Sequence, residues 1–315
     1  MNLIADVGGT NTRCALVDDK GTAEQISVFV NAGYRTLGAA LGDYLRNHSA
    51  KPTAAAIAVA APVTGDEVRM TNRNWHFAAS ELRTELDMNR IEIINDFTAV
   101  ALSLPKLEGN DLFHIGGGAP RSGAAMAALG PGTGLGVSGL ISGRTGWTPI
   151  SGEGGHVTLA PGTEREAQVI DALRARYGHC SAERIVSGPG LVTLYNTLRR
   201  LADYPDDNLR PRDVSARAMA GDPIARETLN MFFALLGSVA GNLALTLGAM
   251  GGVFIAGGIA PASLDAMVAS DFRTRFEDKG RYTDYLSAIP TSVIIHPTPA
   301  LLGLASIVQR EPAAT

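Results

Sequence analysis

A Gly-rich turn held between two short apolar runs occurs twice in this chain, and no other feature restricts its fold as strongly. Residues 3–7 form a short apolar run broken only by Asp6, Gly8-Gly9-Thr10-Asn11 turns, and residues 14–17 are apolar again; residues 124–129, Gly130-Pro131-Gly132-Thr133-Gly134 and residues 135–141 repeat the pattern. Each reads as strand, tight turn, strand. After the first hairpin the pattern predicts a third strand at 25–30, a helix at 36–48, strands near 54–60 and 91–94, and a helix from Asp96. After the second it predicts helices near 164–177, 190–202 and 223–248 and strands at 253–256 and 292–295. Strands mixed with helices in both halves predict an α/β fold in two related domains. Residues 105–123 are rich in Gly and Pro and lack a period, which predicts the boundary and hinge there. A last helix at 299–309 could return to either domain.

Bulk properties exclude several classes of function. With 27 Lys plus Arg against 31 Asp plus Glu, the net charge of -4 offers no attraction for a nucleic-acid backbone. The 45% hydrophobic content is far from the composition of disorder. Cys14 and Cys180 stand too far apart for a metal or redox motif and suit the reducing cytoplasm. Asp6 interrupts what an export signal would need as an apolar stretch. Residues 229–264 lack charge and are long enough to cross a bilayer. Ser238, Asn242, Thr246 and several glycines dilute that run, however, and no flanking cationic cluster sets an orientation, so a buried central helix is expected and no membrane partner.

The chemistry-bearing motifs lie at the turns. In Asp6-Val-Gly8-Gly9-Thr10-Asn11, two glycines let backbone N–H groups crowd round an anion and two side chains add donors, a cradle for phosphate. A carboxylate beside phosphates calls for a divalent cation, so Asp6 implies Mg²⁺ held largely through water. Gly132-Thr133-Gly134 stands at the matching place in the second half, and two facing loops can clamp a triphosphate. The spacing Gly134-x-Gly136-x-x-Gly139 imitates a dinucleotide fingerprint, but a strand follows where a helix should open. No Walker sequence occurs at either loop.

An apolar strand delivers Asn95 and Asp96 at its end. One of them is explained as the cap of the following helix, and the other remains open to a site role. Ser151-Gly-Glu153-Gly-Gly-His156 sets a carboxylate and an imidazole among glycines, groups suited to sugar hydroxyls. Glu183 by itself passes for a helix-surface residue. Gly257-Gly258, like Gly251-Gly252, brackets the strand at 253–256, either for approach to a flat ring such as adenine or as a strand–helix junction.

These motifs, with Phe276-Glu-Asp-Lys-Gly280, follow in the order of the bacterial glucokinases, which the chain resembles over nearly its whole length; they belong to the actin-like, ribonuclease-H-like sugar kinases. The resemblance implies two ribonuclease-H-like (actin-like ATPase) α/β domains with a cleft between them. It sets a small domain at 1–108 plus 298–315 and a large one at 109–297 that carries a homodimer interface. It also implies a glycolytic, ATP- and Mg²⁺-dependent kinase that phosphorylates the 6-hydroxyl of glucose. Asp96 would be the general base, with Asn95, Asp96, Glu153, His156 and Glu183 holding the sugar. ATP would lie against Asp6, Gly8, Gly9, Thr10, Asn11, Gly132, Thr133, Gly134, Gly257 and Gly258. The cysteine cluster of the related zinc-bearing kinases is absent from the sequence, so no zinc is expected. Two rivals remain: a sensor whose output is domain movement, and a kinase of mannose, fructose or an N-acetylated amino sugar.

Overall fold

In the computed structural model, residues 1–70, 74–144 and 146–309 are described. The chain divides into two compact units, Met1–Leu107 with Trp147–Gly152 and His296–Thr315, and Glu108–Gly146 with Glu153–Ile295. This division differs from the expected one in counting Trp147–Gly152 with the first unit. Residues 310–315 of the expected small domain lie outside the described residues.

The first unit is built on the strands β1 (Asn2–Val7), β2 (Asn11–Val17), β3 (Ala23–Val30), β4 (Ala54–Val59) and β7 (Arg90–Asn95), in the order β3-β2-β1-β4-β7. The hairpin β1–β2 and the pair β2–β3 are antiparallel, whereas β1–β4 and β4–β7 are parallel. A small ribbon of β5 (Glu67–Arg69) and β6 (His76–Ala78) stands apart. Helices α1 (Leu37–Asn47), α2 (Ala79–Glu85) and α3 (Asp96–Ser103), with the closing helix Pro299–Val308, complete the unit. Thr36 caps α1 by accepting the N–H of Ala39, so the helix opens one residue after the polar signal that marks it. Strand β1 buries Leu3, Ile4, Ala5 and Val7, as a central strand covered on both faces must.

The second sheet repeats the plan with β8 (Leu112–Gly116), β9 (Met126–Pro131), β10 (Leu135–Gly143), β11 (Gly146–Ser151), β12 (Gly252–Ile255) and β13 (Thr291–Ile294), ordered β11-β10-β9-β12-β13-β8. Again an antiparallel hairpin, β9–β10, leads into parallel neighbours, β9–β12 and β12–β13. The first unit boundary, Leu107/Glu108, falls within residues 105–123, where the boundary and hinge are expected, and the same stretch also holds strand β8, antiparallel on β13, which the pattern did not predict. It is an edge strand with Phe113 and His114 exposed, so it carries neither the apolar run nor the alternation that marks a strand in sequence.

Helices α4 (Glu164–Tyr177), α5 (Ala182–Ile185), α6 (Gly188–Leu201), α7 (Pro211–Met219) and α8 (Pro223–Leu247) pack in this second unit. Helix α8 has the length and mean hydropathy, 1.5, of a membrane span, yet 78% of its most apolar window is buried inside the protein. Its glycines have a packing purpose. A Cβ at Gly237 or Gly241 would fall 2.1 or 2.4 Å from the carbonyl oxygens of Phe272 and Phe276, so helix Phe272–Glu277 crosses α8 in backbone contact.

Candidate active site

In the first unit the turn between β1 and β2 is held from inside by Asn31, a fully buried residue just after β3. Its Nδ2 donates to Gly8 O (2.8 Å), its backbone N–H donates to Thr10 O (2.9 Å), and its Oδ1 accepts from Thr12 Oγ1 (2.7 Å). Gly8 N–H donates to Asn11 O (3.0 Å). The carbonyls of Gly8, Thr10 and Asn11 thus have donors within the unit. This polarity suits a turn that offers N–H groups to an anion. Sequence reading missed Asn31, because one Asn at a strand end resembles any turn residue.

Asp6 and Arg13 face each other across the β1–β2 ladder and form an ion pair of 3.3 Å, with 18% of the Asp6 side chain exposed. Burial pushes the Asp6 carboxyl above its ordinary value, an effect that Arg13 only partly offsets. No cluster of three or more His, Cys, Asp or Glu able to hold a metal occurs among the described residues. A lone carboxylate fits a cation that keeps most of its water and is bound mainly by phosphates, which is the habit of Mg²⁺.

At the C-terminal end of β7 the choice between Asn95 and Asp96 is resolved. Asn95 is the cap: its Oδ1 accepts the N–H groups of Phe97 (2.8 Å) and Thr98 (3.3 Å), and its Nδ2 donates to Ala61 O (3.3 Å). Asp96 opens α3 as its first helical residue, with Oδ1 accepting from Phe97 N–H (2.9 Å). A carboxylate at a helix N-terminus is favoured in its charged form by the helix dipole.

In the second unit, three segments converge. Glu153 and His156 flank the helical turn Gly154–His156, both exposed, and the Glu153 carboxylate has no hydrogen-bond partner among the described residues. Glu183, in the first turn of α5, turns one oxygen toward the N–H of Leu135 (2.8 Å) and sets the other 3.9 Å from His156 Nε2. The turn Gly132-Thr133-Gly134 closes by Gly132 N–H donating to Gly134 O and is tied to α6 by Gly188 N–H donating to Gly132 O, both 2.8 Å. Thr133, His156, Ser181, Glu183, Ser187 and Thr193 line a cavity of about 180 Å³.

The two glycines after β12 divide the roles left open for them. Gly257 has φ +79°, and a Cβ there would meet Pro131 O at 2.4 Å, so it is a junction that lets β12 end against the Gly130–Gly134 turn. Around Gly258, as around Gly132, the space for a Cβ is open, as a cradle for a ligand requires. The second unit thereby brings together Gly132, Thr133, Gly134, His156, Glu183 and Gly257. The first unit brings Asp6 to the turn Gly8-Gly9-Thr10-Asn11 and sets Asn95 and Asp96 at the end of β7.

Two sheets of one plan, each carrying a Gly-turned hairpin, with a carboxylate at the end of a parallel strand, give this chain the fold of solved sugar kinases. A solved glucokinase from an Antarctic psychrotroph shares this fold at 35% identity and a TM-score of 0.87, covering 97% of each chain. The glucokinase of Balamuthia mandrillaris, solved in complex with glucose, shares it at 21% identity and a TM-score of 0.83, over 98% of this chain and 93% of that one. The family model described as Glucokinase matches residues 3–311. The glucokinase of Paramagnetospirillum magneticum is 48% identical over 312 residues, 98% of this chain and 97% of that protein. The chain belongs to the glucokinase family.

Proposed function

We propose that the chain transfers the γ-phosphoryl group of ATP to the 6-hydroxyl of glucose, giving glucose 6-phosphate and ADP, with Asp96 as general base. The observation that carries the reading is family membership over residues 3–311 with a carboxylate kept at the end of β7, beside an Asn95 that already caps the helix. Phosphoryl transfer demands positioning and charge stabilisation more than covalent chemistry from the protein. Asp96 accepts the proton of the 6-hydroxyl as the oxygen becomes a nucleophile, a role worth about 10² to 10⁴ in rate. Asn95, Glu153, His156 and Glu183 orient the sugar, and a site built to bond hydroxyls rejects a ligand lacking one.

ATP supplies the transferred group and would lie against the two turns, Gly8-Gly9-Thr10-Asn11 and Gly132-Thr133-Gly134, with its base toward Gly258. Asp6 would hold Mg²⁺, which would neutralise the charge of the phosphates. The family resemblance further supports a cytoplasmic homodimer joined through the larger unit.

The test is a coupled assay of purified protein with ATP, Mg²⁺ and a panel of hexoses. Turnover with glucose above the other hexoses supports the reading. Turnover that favours mannose, fructose or an N-acetylated amino sugar replaces glucose as the substrate. No turnover on any hexose, with glucose still bound, makes the chain a sensor.

A further inference from the structure

We propose that Glu183 couples the sugar site to the donor-phosphate turn, so that glucose and nucleotide strengthen each other's binding through one carboxylate. The inference rests on the reading of His156, Glu183 and Gly132-Thr133-Gly134 given above.

The geometry gives the two oxygens of this side chain different partners. Oε2 accepts the N–H of Leu135, the residue that follows the turn, at 2.8 Å. Oε1 lies 3.9 Å from His156 Nε2, on the sugar-binding side. The carboxylate takes the space that a side chain at 134 would need: a Cβ on Gly134 would fall 2.4 Å from Oε2. The backbone that carries Glu183 is also fixed, since Ser187 Oγ donates to Glu183 O (2.9 Å) and accepts from Gly190 N–H (3.0 Å). The same segment grips the turn a second time through Gly188 N–H and Gly132 O.

A carboxylate is a rigid plane, so drawing Oε1 toward a sugar hydroxyl reorients Oε2 against Leu135 N–H. A turn ordered by phosphate holds Oε2 and thereby presents Oε1 to the sugar. With 32% of the Glu183 side chain and 59% of the His156 side chain exposed, both are open to a ligand. By linkage, whatever factor glucose contributes to nucleotide binding, nucleotide contributes to glucose binding.

The experiment is calorimetric titration of the full chain with the Mg²⁺ complex of AMP-PNP, with and without saturating glucose. In the unaltered chain, glucose is expected to tighten AMP-PNP binding by a factor of about 5 to 150. Glu183→Ala releases the turn, so AMP-PNP binds more weakly without glucose and the factor falls severalfold. Glu183→Gln keeps an oxygen for Leu135 N–H, so AMP-PNP affinity without glucose is retained. Gly134→Ala displaces the carboxylate and weakens glucose binding measured without nucleotide, although residue 134 has no group for the sugar. The proposal is overturned by a linkage factor in Glu183→Ala within about twofold of the unaltered chain, or by unchanged glucose affinity in Gly134→Ala. Where Glu183→Ala no longer binds glucose, the Gly134→Ala titration decides. An unaltered chain that binds neither glucose nor AMP-PNP overturns the functional reading itself, an outcome distinct from binding without linkage.

Discussion

Asp96→Asn separates chemistry from architecture at the end of β7. The substituted side chain keeps an oxygen for the N–H of Phe97, now held at 2.9 Å, and Asn95 continues to accept the N–H groups of Phe97 and Thr98. Helix α3 therefore keeps its start. The charge lost at the helix N-terminus is worth about 0.3–1 kcal/mol. The chemical loss is far larger, because an amide cannot accept the proton of the 6-hydroxyl. A general base worth about 10² to 10⁴ in rate corresponds to about 2.7–5.4 kcal/mol of barrier at about 1.36 kcal/mol per decade. The assay pairs turnover, read through a coupled dehydrogenase, with glucose titration and a thermal melt on the same preparation. The expected result is kcat down by at least about a hundredfold, glucose affinity kept within a few fold, and a midpoint almost unmoved. A kcat within about tenfold of the unaltered chain would refute the base assignment. So would a large fall in midpoint, which would make Asp96 an element of the fold.

Glu153→Gln is expected to weaken glucose binding and raise KM with a smaller change in melting temperature, because the exposed carboxylate holds no part of the fold; an unchanged glucose titration removes Glu153 from the site. Glu166 and Arg275 form a bidentate pair (2.6 and 3.1 Å), with 3% and 12% of their side chains exposed, and Glu166 also accepts Gly162 N–H. Glu166→Gln leaves a buried guanidinium without its counter-charge and should cost about 3–5 kcal/mol in urea unfolding; a loss below about 1 kcal/mol would show the pair to be hydrated. Asp213 is held down at about 2, first by hydrogen bonds from the Arg210 side chain and backbone. Its folded pKa lies below its unfolded one, so its stabilisation is present above about pH 3.8 and is lost as pH falls toward 2. The difference in melting temperature between Asp213→Ala and the unaltered chain should accordingly exist at pH 7 and vanish near pH 2, and a constant difference would exclude the charged form as its source.

Local chemistry explains what was legible in the sequence. Apolar runs interrupted by Gly8-Gly9 and by Gly130 to Gly134 mark hairpins because few backbones turn that tightly; helices are legible at 36–48 and 223–248, and in the structure Thr36 and Asp222 give α1 and α8 the oxygen that orphan N–H groups need. The ends of β7 and of the two Gly-rich turns follow from the same short-range rules. Edge strand β8 was read as a hinge, since its stability comes from pairing with β13 rather than from its own pattern. Asn31, Leu135 and Arg275 carry no local signature at all.

The sequence by itself therefore determined the two related halves, the turns and the residue types able to bind phosphate and sugar. Only the tertiary structure decided that Asn95 rather than Asp96 is the cap and that Asn31 pins the first turn. It also decided that Gly257 is a junction while Gly258 stays open, and that Glu183 reaches Leu135 across 48 residues of chain. The division has a physical reason: caps and turns are settled by neighbours a few residues away, whereas the partner of a carboxylate oxygen is whatever N–H the fold brings within 3 Å.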